Sequence, residues 1–186
     1  MARAKCDNCN QPQVRCFCPF ITPLKHQTKL IIMQHPSELK AAKGTVKLLQ
    51  MMSQNIEVWV GESQADFSEL QQQLQGIQVG LLYPDEQAVS LDGADKPQLD
   101  ALILLDGTWK KTYKILQLNP WLQALPKVSF NAPKGRYHIR KAPRADSLST
   151  LEAACFALEA IESFDARPWL SGFEAFMQQQ IQLMAR

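Results

Sequence analysis

The run Leu102-Ile103-Leu104-Leu105 contains no polar side chain and then gives way to Asp106-Gly107-Thr108-Trp109. A surface helix or a half-exposed strand carries polar residues at a fixed period. A run with none reads as a strand buried on both faces, as in a parallel sheet with helices on each side. Such a sheet fixes the place of Asp106: a carboxylate at the carboxyl end of a strand, where open α/β sheets bind their ligands. Gly107 lets the backbone turn sharply or approach a ligand closely, and Thr108 can cap the segment behind it. Taken alone, Asp-Gly is also the signature of an ordinary turn with Asp106 as a helix cap.

The rest of the chain repeats the alternation. Residues 30–33 read as a buried strand ending at Gln34-His35-Pro36, 45–52 as a helix, and 58–61 as a second strand. A helix over 66–74 follows, with Phe67, Leu70 and Leu74 on one face, then a strand over 79–83 stopped by Pro84, and a polar loop over 85–98. After the 102–105 strand come a short helix carrying Trp109, Tyr113 and Leu116, a loop at Pro120 and a strand over 128–130. Ser149-Thr150-Leu151-Glu152 matches a capping box, so a helix to about residue 164 is expected, with Leu151, Cys155 and Leu158 in register, and a last helix over 169–184. Strands alternating with helices predict an α/β fold, a mostly parallel sheet flanked by helices.

At 186 residues the chain fits one domain with a small appendage. It has no apolar span of membrane-crossing length, and Met1-Ala2-Arg3-Ala4-Lys5-Cys6 lacks the apolar segment of a secretion signal, so a cytoplasmic protein is expected. The net charge of +2 excludes no partner, but its distribution is uneven. From 127 to 144 the charged residues are Lys127, Lys134, Arg136, Arg140, Lys141 and Arg144, with His138 among them and no acid before Asp146. Interleaved with Phe130 and Tyr137, this strip suits a phosphate backbone and its bases; a solvated basic loop reads equally well.

Cysteines gather at the amino end. Cys6-x2-Cys9-x6-Cys16-x-Cys18 supplies the four soft donors of one tetrahedral zinc ion, and such a site folds a knuckle too poor in apolar side chains to fold alone. A redox Cys-x-x-Cys belongs near a βαβ unit, which this pair precedes, and disulfides are disfavoured without a secretion signal. With all four positions filled by cysteine the zinc is structural. Residues 1–24 therefore form the knuckle and 25–186 the main domain, in which Cys155 is a core residue.

These elements occur in a particular order: Cys-x2-Cys and Cys-x-Cys, then His35-Pro36-Ser37-Glu38, then Asp106-Gly107-Thr108-Trp109, then Arg144 and Ser149-Thr150-Leu151-Glu152-Ala153. In that order they resemble the DTW-domain family, the bacterial tRNA-uridine aminocarboxypropyltransferases. The D-x-T-W signature falls on Asp106, Thr108 and Trp109, with Gly107 as its variable position. Relatives often carry an Asn-Thr-Gly-like turn after the His-Pro pair, where this chain has Lys43-Gly44-Thr45.

The resemblance implies a SPOUT-like fold with a carboxyl-terminal knot. It also implies transfer of the 3-amino-3-carboxypropyl group of S-adenosylmethionine to N3 of a tRNA uridine, position 47 in the bacterial branch, with release of 5′-methylthioadenosine. Asp106 is the candidate base for N3; a carboxylate is weak in that role, and Trp109 is a candidate for apolar cover that would strengthen it. Gly107, Thr108, Trp109, Ser149, Thr150 and Glu152 are the expected cofactor-binding residues, the helix start near Ser149 and Thr150 offering amides to an anionic group. His35, Glu38, Arg136, Arg140, Lys141 and Arg144 are the expected tRNA-binding residues. A SPOUT-like RNA methyltransferase and a non-catalytic zinc-knuckle RNA-binding module are the alternatives.

Overall fold

The computed structural model describes residues 4–40, 45–131 and 148–185. The Lys43-Gly44 turn and the basic residues Lys134, Arg136, His138, Arg140, Lys141 and Arg144 lie outside them. The described chain builds a six-stranded sheet from β1 (Lys29–Gln34), β2 (Ile56–Val60), β3 (Val79–Leu82), β4 (Val89–Ser90), β5 (Ala101–Asp106) and β6 (Lys127–Ser129), in the order β2-β1-β5-β3-β6-β4. Every pairing between these strands is parallel.

The apolar runs are explained by two cores. Alternate side chains of a strand point to opposite faces. Leu30, Ile32, Leu102 and Leu104 enter one core with α1 (Thr45–Met52), α5 (Thr150–Glu162) and α6 (Arg167–Met184). Ile31, Met33 and Ile103 enter the other with α2 (Ser68–Gln73), α3 (Trp109–Leu118) and α4 (Pro120–Gln123). The central strands β1 and β5 are thus covered on both sides, which is why their sequences carry no alternation.

Connectivity then opens a crevice. From β1 the chain leaves through α1 on one face to reach β2 on one side, whereas from β5 it leaves through α3 and α4 on the other face to reach β6 on the opposite side. Adjacent parallel strands whose connections diverge in this way part the loops at their carboxyl ends, and ligands of open α/β sheets sit at this switch point. Gln34 and Asp106 are its two rims, paired in register.

The knuckle docks on α6. Phe17 packs edge-on against Phe176 with ring centroids 6.0 Å apart, Phe20 lies 6.4 Å from the same ring, and the Trp169 indole donates to the Thr22 carbonyl at 3.0 Å. Approach this close requires Gly172, because a Cβ there would lie 2.2 Å from the Phe20 carbonyl oxygen.

Four expectations change in detail. The 85–98 loop contains β4, an exposed two-residue edge strand on β6 that no apolar run announces. The 66–74 helix opens one turn early as a 3-10 segment, Gln64–Phe67, capped by Ser63 and Asp66, before α2. In α3 the buried residues are Thr112, Ile115 and Leu116, and Trp109 and Tyr113 stand in solvent. α5 stops at Glu162, where Ser163 takes a left-handed φ of 56°. Among the described residues no helix is long and apolar enough to cross a membrane.

Gly172→Ala should cost about 1–3 kcal/mol by overpacking the α6–knuckle contact. Urea unfolding is expected to give a lower midpoint at unchanged slope; a wild-type midpoint would mean that the Phe20 backbone yields freely.

Candidate active site

The switch crevice is organised around one carboxylate. Gln34, the last residue of β1, donates from Nε2 to Asp106 Oδ2 at 2.8 Å, and Thr150, the first residue of α5, donates from Oγ1 to Asp106 Oδ1. Asp106 thus ties the ends of two central strands to the start of a helix on one face. Each donor fills one acceptor position of its oxygen, and a carboxylate has about four, so both oxygens can still accept from a substrate.

Thr150 is held in turn by the predicted cap. Ser149 accepts from the Glu152 amide at 3.2 Å, and Glu152 Oε2 accepts from the Ser149 amide at 2.8 Å and its hydroxyl at 2.6 Å. Both side chains are buried. Glu152 serves the site through this cap, fixing the helix start that presents Thr150.

On the β1 side the His35-Pro36-Ser37-Glu38 turn is braced to α3. The His35 amide donates to the Asp106 carbonyl at 3.0 Å, extending the β1–β5 pairing by one residue. Its ring is oriented by two partners. The Ser37 backbone amide can only donate, and it reaches Nδ1 at 3.2 Å, so Nδ1 accepts and the proton sits on Nε2, which donates to Glu62 Oε1 at 2.7 Å. Glu62 also receives Lys114 at 2.8 Å, and Glu38 receives Lys111 at 2.7 Å. The Lys114 ammonium, with His35 beside it, holds the Glu62 carboxyl below the usual carboxylate range. Gly107 suits the close turn from β5 into α3, since a Cβ there would crowd the Lys111 Cβ at 3.1 Å.

Of the residues expected from sequence, Asp106, Gly107, His35, Glu38, Ser149 and Thr150 converge at this crevice. Thr108 stands at the N-cap of α3, where its carbonyl accepts from Lys111 and Thr112 but its side chain makes no capping bond. Trp109 is 52% exposed and turned outward, so in the free protein it does not cover the carboxylate. Arg136, Arg140, Lys141 and Arg144 lie outside the described residues. Two site residues carried no sequence signal of their own: Gln34, a polar end to an apolar strand, and Glu62, which follows β2 after Gly61.

The cysteines form a second centre. The sulfurs of Cys6, Cys9, Cys16 and Cys18 lie within 4.8 Å of one another, with Cys6–Cys18 and Cys9–Cys16 both at 3.7 Å. A disulfide needs about 2.05 Å. Metal–sulfur bonds of about 2.3 Å in a tetrahedron set sulfurs about 3.8 Å apart, which is the spacing of these pairs. The Cys9 and Asn8 amides draw the Cys6 thiol down to about 6, whereas burial and the crowding thiols push Cys18 up to about 12. A shared cation would allow all four to ionise together.

Comparison with known proteins bears on the same residues. The model of the DTW domain matches residues 3–181. Relatives include tRNA-uridine aminocarboxypropyltransferase 2 of Drosophila melanogaster, 34% identical over 87% of this chain and 68% of that protein. The proteins of the same name from Macaca fascicularis and Mus musculus are each 32% identical over 86% of this chain. The chain spans 57% of the length of these two. No solved structure matches significantly. The family match covers the knuckle, the Asp106 crevice and the Ser149 cap together, and the chain belongs to the DTW-domain family.

Proposed function

We propose that this protein transfers the 3-amino-3-carboxypropyl group of S-adenosylmethionine to N3 of a uridine in tRNA and releases 5′-methylthioadenosine. The observation that carries this reading is the Asp106 carboxylate at the switch point, held by Gln34 and Thr150, in a DTW-domain chain whose relatives bear that activity in their names.

The reaction forms a bond between N3 and the γ carbon and breaks the bond from that carbon to sulfur, whose electron pair leaves with the thioether. The sulfonium supplies the activated carbon; the protein must remove the N3 proton and choose one of three carbons on sulfur. Asp106 is suited to the first task, since both its oxygens retain acceptor capacity in a crevice that RNA would close. Choice of carbon is a matter of orientation, which is worth orders of magnitude in rate. The Gly107-Thr108 turn and the amides at the start of α5, with Ser149 and Thr150, are assigned to holding the donor, and Trp109 to the mouth of its pocket. His35 and Glu38 face the RNA side, kept in place by Glu62, Lys114 and Lys111. Arg136, Arg140, Lys141 and Arg144 are assigned to tRNA phosphates. A SPOUT-like arrangement with a carboxyl-terminal knot belongs to the same reading, as does a structural zinc on the four cysteines. The cytoplasm is the compartment this substrate favours.

Incubation of the chain with unmodified tRNA and S-adenosylmethionine should yield 5′-methylthioadenosine and a uridine heavier by the aminocarboxypropyl group, both read by mass spectrometry. S-adenosylhomocysteine with a methylated base would make the protein a methyltransferase instead, and tRNA binding with no turnover would make it a binding module. Asp106→Asn should lower the single-turnover rate about 10²- to 10⁴-fold while tRNA affinity stays near wild type; an unchanged rate removes Asp106 from the role of base.

Metal analysis should find one zinc per chain. A strong chelator should lower the melting temperature by releasing Phe17 and Phe20 from Phe176, and Cys16→Ser should do the same without chelator. A metal-free protein that melts where the loaded one does would contradict a folding role for the ion.

A further inference from the structure

Helix α3 has two unlike flanks. Its buried side is Thr112, Ile115 and Leu116. On the flank toward β1 and β2, Lys111 and Lys114 are ion-paired to Glu38 and Glu62 at 2.7 and 2.8 Å. On the other flank Trp109 and Tyr113, one turn apart, are 52% and 56% exposed. Tyr83, which follows β3, packs partly buried against the core that α3 covers, so the flank turned away from β1 and β2 lies on the β3 side of the sheet. The rings therefore run outward from the crevice: Trp109 is three positions beyond Asp106, and Tyr113 is about 6 Å further along the helix.

We propose that this flank of α3, carried by Trp109 and Tyr113, is a stacking surface for unpaired bases of the RNA next to the base that enters the crevice. The proposal rests on the tRNA reading above and adds where the nucleic acid is gripped outside the reaction centre. Exposed aromatic rings have a use on nucleic acid that they lack in water, since any base can lie on their faces whatever its sequence. The charge pattern favours RNA over a protein partner. Protein-docking patches lose charge at their centre, whereas here the exposed Lys110 lies between the two rings in sequence. Ring and cation together describe a single-stranded nucleic-acid grip.

Tyr113→Ala and Tyr113→Phe in the full chain test this, with affinity for an unmodified tRNA transcript measured by fluorescence anisotropy over a salt series. Tyr113→Ala should weaken binding about 5- to 100-fold and raise KM for tRNA in step, with the loss in KM and not in kcat. Tyr113→Phe keeps the ring and should bind as wild type. The salt slope should be unaltered in both, because no phosphate contact is removed, while Lys110→Gln should reduce it by about one.

Photocrosslinking of wild-type protein to tRNA containing 5-bromouridine is an independent measurement that needs no variant to fold; crosslinks on the 109–113 segment are expected, and crosslinks only elsewhere overturn the proposal. Wild-type affinity and KM in Tyr113→Ala overturn it as well, as does a wild-type dimer in sedimentation that Tyr113→Ala dissolves, which would make the flank a protein interface. Wild-type protein that binds tRNA but transfers nothing would sink the reaction assigned above and leave this surface standing.

Discussion

The register between β1 and β5 is the constraint on which the site depends. It sets Gln34 opposite Asp106 where two neighbouring strands send their connections away from one another. A slip of one residue would turn every core side chain of β1 to the wrong face, and the two buried cores on either side of the sheet make that slip prohibitively costly. The amide-to-carboxylate hydrogen bond between Gln34 and Asp106 is therefore a by-product of core packing. The protein obtains a fixed carboxylate without dedicating a flexible loop to it.

The remaining supports reach the same crevice from different layers. Thr150 reaches Asp106 from α5, and α5 begins where it does because Ser149 and Glu152 satisfy one another and the helix's first amides. The opposite layer contributes α3, whose Lys111 and Lys114 brace the turn after β1 through Glu38 and Glu62. The knuckle enters this scheme at a distance, since Phe17 and Phe20 pack on α6, which shares the core of α5. The structural metal proposed for the four cysteines would contribute by holding those two phenylalanines against the domain.

Much of this was legible in the sequence, and the parts that were not share a cause. Asp106 announced itself because an apolar run stops at it, and the cap at Ser149 because it is a local pattern of four residues. Gln34 gave no signal: its role exists only through a strand pairing across 72 positions. Glu62 likewise meets His35 and Lys114 across the fold. The edge strand β4 went unread because both its residues are exposed, so burial left no mark on its composition. Of Trp109, Tyr113 and Leu116, expected together on the α3 helix, only Leu116 is buried, and Trp109 and Tyr113 are exposed. Helical spacing places them on the flank beside Thr112 and Leu116, where the sheet no longer covers them.

The last of these differences bears on the chemistry. Asp106 meets two neutral donors, and Trp109, turned outward in the free protein, does not cover it. In the proposed reaction the exclusion of water from this carboxylate is left to the substrate. RNA laid along the α3 flank and over the crevice would exclude water from Asp106, and charge interactions grow as the surrounding dielectric falls. In the proposed reaction, the act that positions the uridine would also ease removal of its proton, so that substrate selection and base strength would be two results of one contact.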